Sequence, residues 1–317
     1  FPLLKDYSRL LKFVWKRRWI TNAGELHQQL ESRIRDYLKV RDVVLTTNAT
    51  TALQLTMETL DYGEIITSPY AFPAVVPCAR RLGNRLVFAD VDDDTWNITP
   101  ASVSKVMTNS VLAIYPVHQF GNPCDVRRFP RFEMPLIYDG AAAFGVEVDN
   151  KSVHCWGDAS VISFHATKVF STAEGGAICT TKRMAKDYRK RRNFSIINEN
   201  KYDLMGMNAK MSELHAAFGI LNLKTVDAII KERAKRVTLY KEVLGDEVRY
   251  QKPGPGCTRQ NHSYMPIRLE HRKREKVYKE LKNMNVDVRI YYWKDPYVDF
   301  KETCPIAWKL SQEVLCL

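Results

Sequence analysis

The sequence predicts an α/β fold: a large domain built on a seven-stranded, mostly parallel sheet, followed by a smaller α+β domain. Three observations carry this expectation. Seven short runs rich in β-branched and apolar residues recur between residues 43 and 180, separated by helical patterns or turn signals. The runs are nearly continuous in apolar residues, as strands covered by helices on both faces require. Finally, Gly245 and the loop QKPGPGCT (251–258) interrupt the chain before a short strand–helix–strand pattern. The 317 residues divide on this reading into 1–243 and 244–317.

Taken in order, residues 1–19 (FPLLKDYSRLLKFVWKRRW) form a basic amphipathic segment. A helix packed on its own domain is favoured for it over one lying on a membrane surface. The strands follow as VVLTT (43–47), EIIT (64–67), RLVFAD (85–90), VLAIYP (111–116), PLIYD (135–139), SVISFH (160–165) and GAICT (176–180). Apolar residues at helical spacing from 209 to 243 predict one long helix. In the second domain SYMPIRL reads as a strand, EKVYKELKNM as a helix and VDVRIYY as another strand.

Composition excludes several classes. Hydrophobic residues at 45% and charged residues at 26% describe an ordered globular protein. No apolar stretch has the length of a membrane span, so a cytoplasmic protein is expected. Seven cysteines, at 78, 124, 155, 179, 257, 304 and 316, lack C-x-x-C or zinc spacing and read as reduced thiols, with no metal site. The net charge of +12 suits nucleic acid and phosphorylated small molecules equally. The basic runs at 16–18, 189–192 and 271–276 lack interleaved aromatics, which favours solvated helix faces over nucleic-acid binding.

Three features lie at strand ends, where ligands bind in open α/β sheets. In TTNATTALQL a strand gives way to a helix at about Thr50; free N–H groups and the hydroxyls of Thr50 and Thr51 suit a phosphate, or Asn48 or Thr50 is simply a helix cap. In PLIYDGAAAFG a strand delivers Asp139, a carboxylate that needs a cation such as a protonated pyridine nitrogen, unless it caps a turn. In SVISFHATKVFSTAEGGAI a strand runs into a loop holding Lys168, whose amine gains nucleophilicity if desolvated; Ser163 could add a phosphate contact.

SFHATKVFSTAEGGAI, with YDGAAAFG before it and GMNAKMSELHAAFGILNL after it, resembles the sugar-aminotransferase family named after DegT, DnrJ, EryC1 and StrS. The resemblance covers nearly the whole chain. It implies an aspartate-aminotransferase-type fold (fold type I), pyridoxal phosphate as cofactor, and a homodimer with shared active sites. It implies L-glutamate as amino donor and a nucleotide-linked keto-sugar as acceptor, with the SFHATK form similar to enzymes acting on dTDP-linked 4-keto-6-deoxyhexoses. By position, Lys168 resembles the Schiff-base lysine, Asp139 the partner of the pyridine nitrogen, and Phe72 of SPYAFPA the aromatic stacked on the ring. Thr50, Thr51 and Ser163 match phosphate contacts, and Asn208 the residue that reaches the other subunit's cofactor. Asn22, His165 and Tyr291 fall in blocks that approach the sugar. Family members that act as dehydratases carry histidine where this chain has Lys168.

Two departures stand out. Ala142 occupies the position where many relatives place a histidine or glutamine against the ring hydroxyl. The segment between Val126 and Pro135 is shorter and more basic than usual, and relatives continue past SQEVLCL, so an incomplete C-terminal end is expected.

Overall fold

All seven runs read as strands form strands. The computed structural model describes residues 1–198, 200–202, 205–292 and 300–317. Asp42–Thr46, Gly176–Thr180, Ala159–Ser163 and Ile137–Asp139 make one sheet in that order, and Arg85–Phe88, Glu64–Thr67 and Val111–Tyr115 a second. The single sheet expected is thus two, meeting where Ile114 bridges Leu136 and Val117 bridges Asp139 in parallel fashion. Pro116 and Pro135 lie at this seam; neither has an N–H to donate, so their carbonyls alone accept, from Asp139 and Ile114.

The arrangement is mostly parallel, as expected, with one strand reversed. Gly176–Thr180 runs antiparallel to both its neighbours. The cause is its connection: residues 164–175 return directly from Ser163 without the crossover helix that a parallel return needs. That return loop holds Lys168 at the sheet's end.

The helix expected over 209–243 is two, Glu213–Asn222 and Val226–Leu244, separated by the 3₁₀ turn Leu223–Thr225. Side chains break it: Asn222 Nδ2 donates to the Ser171 carbonyl at 2.8 Å, and Thr225 Oγ1 donates to the Asn222 carbonyl at 3.0 Å. Glu213, 2% exposed, accepts from the N–H groups of Leu26 and His27, capping the helix Glu25–Leu38 from across the fold. The basic N-terminal segment is the helix Leu4–Arg17, which packs on Glu213–Asn222, with Tyr7 donating to the Leu214 carbonyl. Among the described residues no helix is long and apolar enough to cross a membrane.

VDVRIYY was expected to be a strand, yet the structure gives it one bridge, Arg289 to Cys316. Its tyrosines are drawn away into a ring cluster: Tyr292 stacks on Phe120 with centroids 5.3 Å apart, and Tyr291 meets Tyr264 edge-on at 5.8 Å. The helix Pro305–Glu313, capped by Asp90 accepting from Ile306 and Ala307 N–H groups, packs its Ala307 and Leu310 into the core that holds Trp96 and Phe120.

The run at 189–192 is not a solvated face. Arg192, 5% exposed, donates to Glu31 and to the Leu45 carbonyl, and Arg189 donates to Asp42 and Glu31. His27 is buried beside this network, and burial pushes its pKa down to about 4 against the partial opposition of Glu31. Burial likewise lowers His118 to about 3 and His154 to about 4. A histidine depressed in the folded state binds its proton more readily when unfolded. Its contribution to stability is therefore complete above an ordinary pKa of about 6.5 and declines as pH falls towards the folded value, by up to about 1.4 kcal/mol per unit for each histidine. We expect the urea midpoint to drop between pH 7.5 and pH 5; equal midpoints would contradict these burials.

Candidate active site

Strand register assembles the site. Gly176 faces Thr46 on one side and Ser163 on the other, and Asp139 faces Val161 on the next strand. Thr46, Ser163 and Asp139 thus come to one edge of the sheet, above which the chain supplies two polar loops.

One loop begins the helix Ala49–Met57. Gly176 is needed beneath it, because a Cβ there would stand 2.5 Å from the Asn48 carbonyl carbon and 2.6 Å from the Ala49 nitrogen. Asn48 is the N-cap, accepting from Thr51 N–H at 2.8 Å. The Thr51 hydroxyl donates to the Asn48 carbonyl at 2.9 Å and meets Thr47 Oγ1 at 3.0 Å, while Thr50 is exposed. Ser163 Oγ accepts from His165 N–H at 3.3 Å. The cap reading and the phosphate reading are therefore compatible: the cap satisfies Thr51, and the Thr50 face of the helix start stays open.

The second loop carries Lys168. Its backbone N–H donates to the His165 carbonyl at 2.9 Å, and its Nζ donates to the Tyr264 hydroxyl at 3.0 Å. Asp139 is 4% exposed, and its Oδ1 accepts from Ala141 N–H at 3.0 Å. Burial raises its pKa, and the Ala141 N–H and the nearby charge of Lys168 offset part of that rise. The Lys168 amine is thus near enough for its charge to act on Asp139. Among the described residues no ion pair neutralises Asp139, so a cation brought by a ligand would relieve its desolvation.

Phe72 is an exposed ring, 53% accessible, that meets Tyr292 edge-on at 6.4 Å. Tyr291 is placed among Phe120, Tyr264 and Tyr292, and its carbonyl accepts from the Tyr70 hydroxyl at 3.0 Å. His165 turns outward, its Nδ1 3.0 Å from Thr167 Oγ1 and its Nε2 3.7 Å from Glu174. Asn22 sits in an exposed left-handed turn, and Asn208 on the surface accepts from Lys210 Nζ at 2.7 Å. Among the described residues neither is hydrogen-bonded to Lys168 or Asp139.

Sequence reasoning missed Tyr264 and Phe120. Tyr264 was read only as part of a strand, although that strand begins at Pro266. Residues 261–263 just before it clamp the loop after Asp139: Asn261 Nδ2 donates to the carbonyls of Ala142 and Phe144, and Ser263 Oγ donates to that of Ala142. The backbone of Ala142 is thus engaged, while its methyl offers no hydrogen bond. Phe120, with φ of 58°, contacts Tyr70, Trp96, Tyr264, Tyr291 and Tyr292. The only sequence signal for this cluster was the density of aromatics in PVHQFG and VRIYY.

Pyridoxal phosphate can be tested against these groups. A primary amine and a buried carboxylate without a cation lie within each other's field, Phe72 is an exposed aromatic ring, and a glycine-backed helix start adjoins Ser163. An aldehyde, a pyridinium, a flat ring and a phosphate would meet complementary chemistry at each, so the residues fit the group.

The DegT/DnrJ/EryC1/StrS aminotransferase family matches residues 5–317. The chain belongs to this family. It is 38% identical over 333 residues to a dTDP-4-amino-4,6-dideoxy-D-glucose transaminase of Shigella dysenteriae, covering 100% of this chain and 91% of that protein. An Escherichia coli protein of the same name is 32% identical, with the same coverage. Among solved structures, DesI in the presence of its TDP-sugar product superposes with a TM-score of 0.91 at 30% identity, covering 100% of this chain and 85% of that one. The fold is the aspartate-aminotransferase type, and the enzyme is a pyridoxal-phosphate-dependent nucleotide-sugar aminotransferase.

If the Tyr264 hydroxyl steadies the Lys168 amine, Tyr264→Phe should lower kcat by about tenfold and shift the pH optimum, since one hydrogen bond to a charged group amounts to about 1.5–3 kcal/mol. An unchanged pH–rate profile would show that the contact is only structural.

Proposed function

We propose that this enzyme moves an amino group from L-glutamate to the ketone of a dTDP-linked 4-keto-6-deoxyhexose, yielding a deoxyamino sugar of the kind built into O-antigen and other surface polysaccharides. The observation that carries the site assignment is the Lys168 amine near the buried, unneutralised carboxylate of Asp139. When bound, pyridoxal phosphate supplies an electron sink for the carbon that loses and regains a proton.

The chain's own residues do the rest. Lys168 would hold the cofactor aldehyde through Nζ, and its free amine would carry the proton to and from the substrate carbon. Tyr264, bonded to that nitrogen, limits where the amine can swing. Asp139 would keep the ring nitrogen protonated, and its burial would strengthen that pairing. By the family resemblance Phe72 would stack on the ring, Thr50, Thr51 and Ser163 would hold the phosphate, and His165, Asn22 and Tyr291 would approach the sugar.

The homodimer reading rests on the surface around Asn208. Phe194, Ile196, Ile197, Tyr202 and Met205 are each at least 45% exposed, an apolar patch large enough to need a partner. A second copy seated there would bring Asn208 towards the neighbouring cofactor phosphate. A cytoplasmic enzyme is part of the proposal.

The dTDP and C4 assignments rest on the names of the two relatives and on the SFHATK motif, with the 3-keto isomer as the alternative. Incubation with glutamate and a panel of 3-keto and 4-keto nucleotide sugars, followed by NMR of the products, tests them. Amination at C4 of the dTDP sugar, at least about tenfold faster than at C3, is the expected result; preferential C3 amination would overturn it.

A further inference from the structure

At the opposite end of the strands, away from Asp139 and Ser163, a cavity of about 290 Å³ opens beside the first residues of Asp42–Thr46 and the last of Gly176–Thr180. Lys39, Arg41 and Lys151 line it. Among the described residues none of the three forms an ion pair, whereas Arg189 and Arg192 are paired. Trp156 also lines the cavity, and its indole Nε1 is buried without a hydrogen-bond partner.

The one carboxylate on the wall is partly committed. Asp158 Oδ2 accepts from Leu136 N–H at 2.9 Å, and its carbonyl accepts from Thr180 Oγ1 at 2.6 Å. The helix Lys182–Arg191 starts at the same cavity, adding the positive end of its dipole. Arg41 and Lys151 lie near enough to Cys155 to offset part of the rise that burial causes in its thiol pKa. Three cations and a helix N-terminus therefore converge on one concavity, near the lower end of the volumes that small-ligand sites occupy, about 300 Å³.

We infer that this cavity is a second anion site, distinct from the cofactor phosphate cradle, that binds a phosphate-bearing small molecule through Lys39, Arg41 and Lys151. Phosphate takes several charge-assisted donors at once, which is what the wall provides. The site does not depend on the identity of the sugar substrate.

The test uses the cofactor-saturated enzyme, so that the active-site phosphate cradle is occupied. Inorganic phosphate and glucose 1-phosphate are titrated separately by calorimetry, and iodoacetamide labelling of the exposed Cys155 is followed in parallel, with Cys257 as internal reference. The expected result is one site per chain and slower labelling of Cys155 alone. Arg41→Ala with Lys151→Ala should weaken binding by about tenfold or more; transamination rates should not change. Tighter binding of glucose 1-phosphate would identify a sugar phosphate as the ligand, and equal binding would identify the phosphate group alone; both support the site. No binding at millimolar phosphate, or binding undiminished in the double variant, would overturn the inference.

Discussion

Lys168→Ala should abolish transamination, with kcat reduced by about 10³-fold or more, because on the proposed assignment a single amine would both anchor the cofactor and transfer the proton. The same variant should lose the visible absorbance of the purified, cofactor-loaded protein. Its fold should persist. The Lys168 side chain is partly exposed and makes one described side-chain hydrogen bond, to Tyr264, so the stability change should stay within about 1.5 kcal/mol. Circular dichroism and a urea midpoint check this, separating loss of chemistry from loss of structure. Wild-type rates in the variant would remove Lys168 from the mechanism.

Asp139→Asn tests the other half of the pair and should act in opposite directions on catalysis and on stability. Asparagine preserves shape while removing the charge, so the ring nitrogen loses its counter-ion; kcat should fall by about 10²-fold or more, on the scale of removing one preorganised electrostatic contact. In the cofactor-free protein the buried carboxylate is itself unfavourable. Its pKa is raised by burial, so its charged form destabilises the fold above that pKa, and the penalty is relieved as pH falls. The cofactor-free variant should therefore melt at or above the wild-type temperature near neutral pH, while the stabilisation gained on adding pyridoxal phosphate shrinks. A drop in cofactor-free stability would show that Asp139 is already satisfied by the protein.

The local parts of this site were legible in the sequence, and its long-range parts were not. Strand ends followed by small or hydroxylated residues located Asp139, Ser163 and the helix start at Ala49–Met57, because strand period and capping chemistry act over a few residues. Lys168 on its loop looked ordinary by itself; the flanking motif made it a candidate. Tyr264 stayed hidden because its pairing with Lys168 spans 96 positions and depends on how the later part of the chain folds back. The antiparallel return of Gly176–Thr180 was missed for a related reason: apolar runs indicate burial but not direction. Periodicity also overran the side-chain hydrogen bonds that split the helix at Asn222, and it made a strand of VDVRIYY, whose tyrosines pack into the ring cluster instead.

The decisive measurement is to load the purified enzyme with pyridoxal phosphate, reduce it with borohydride and map the labelled peptide by mass spectrometry. The pyridoxyl group should sit on the Nζ of Lys168, and Asp139→Asn should retain that position. A label on any other lysine, or no covalent label at all on protein that binds the cofactor, would contradict the assignment of this cleft as the aminotransferase centre.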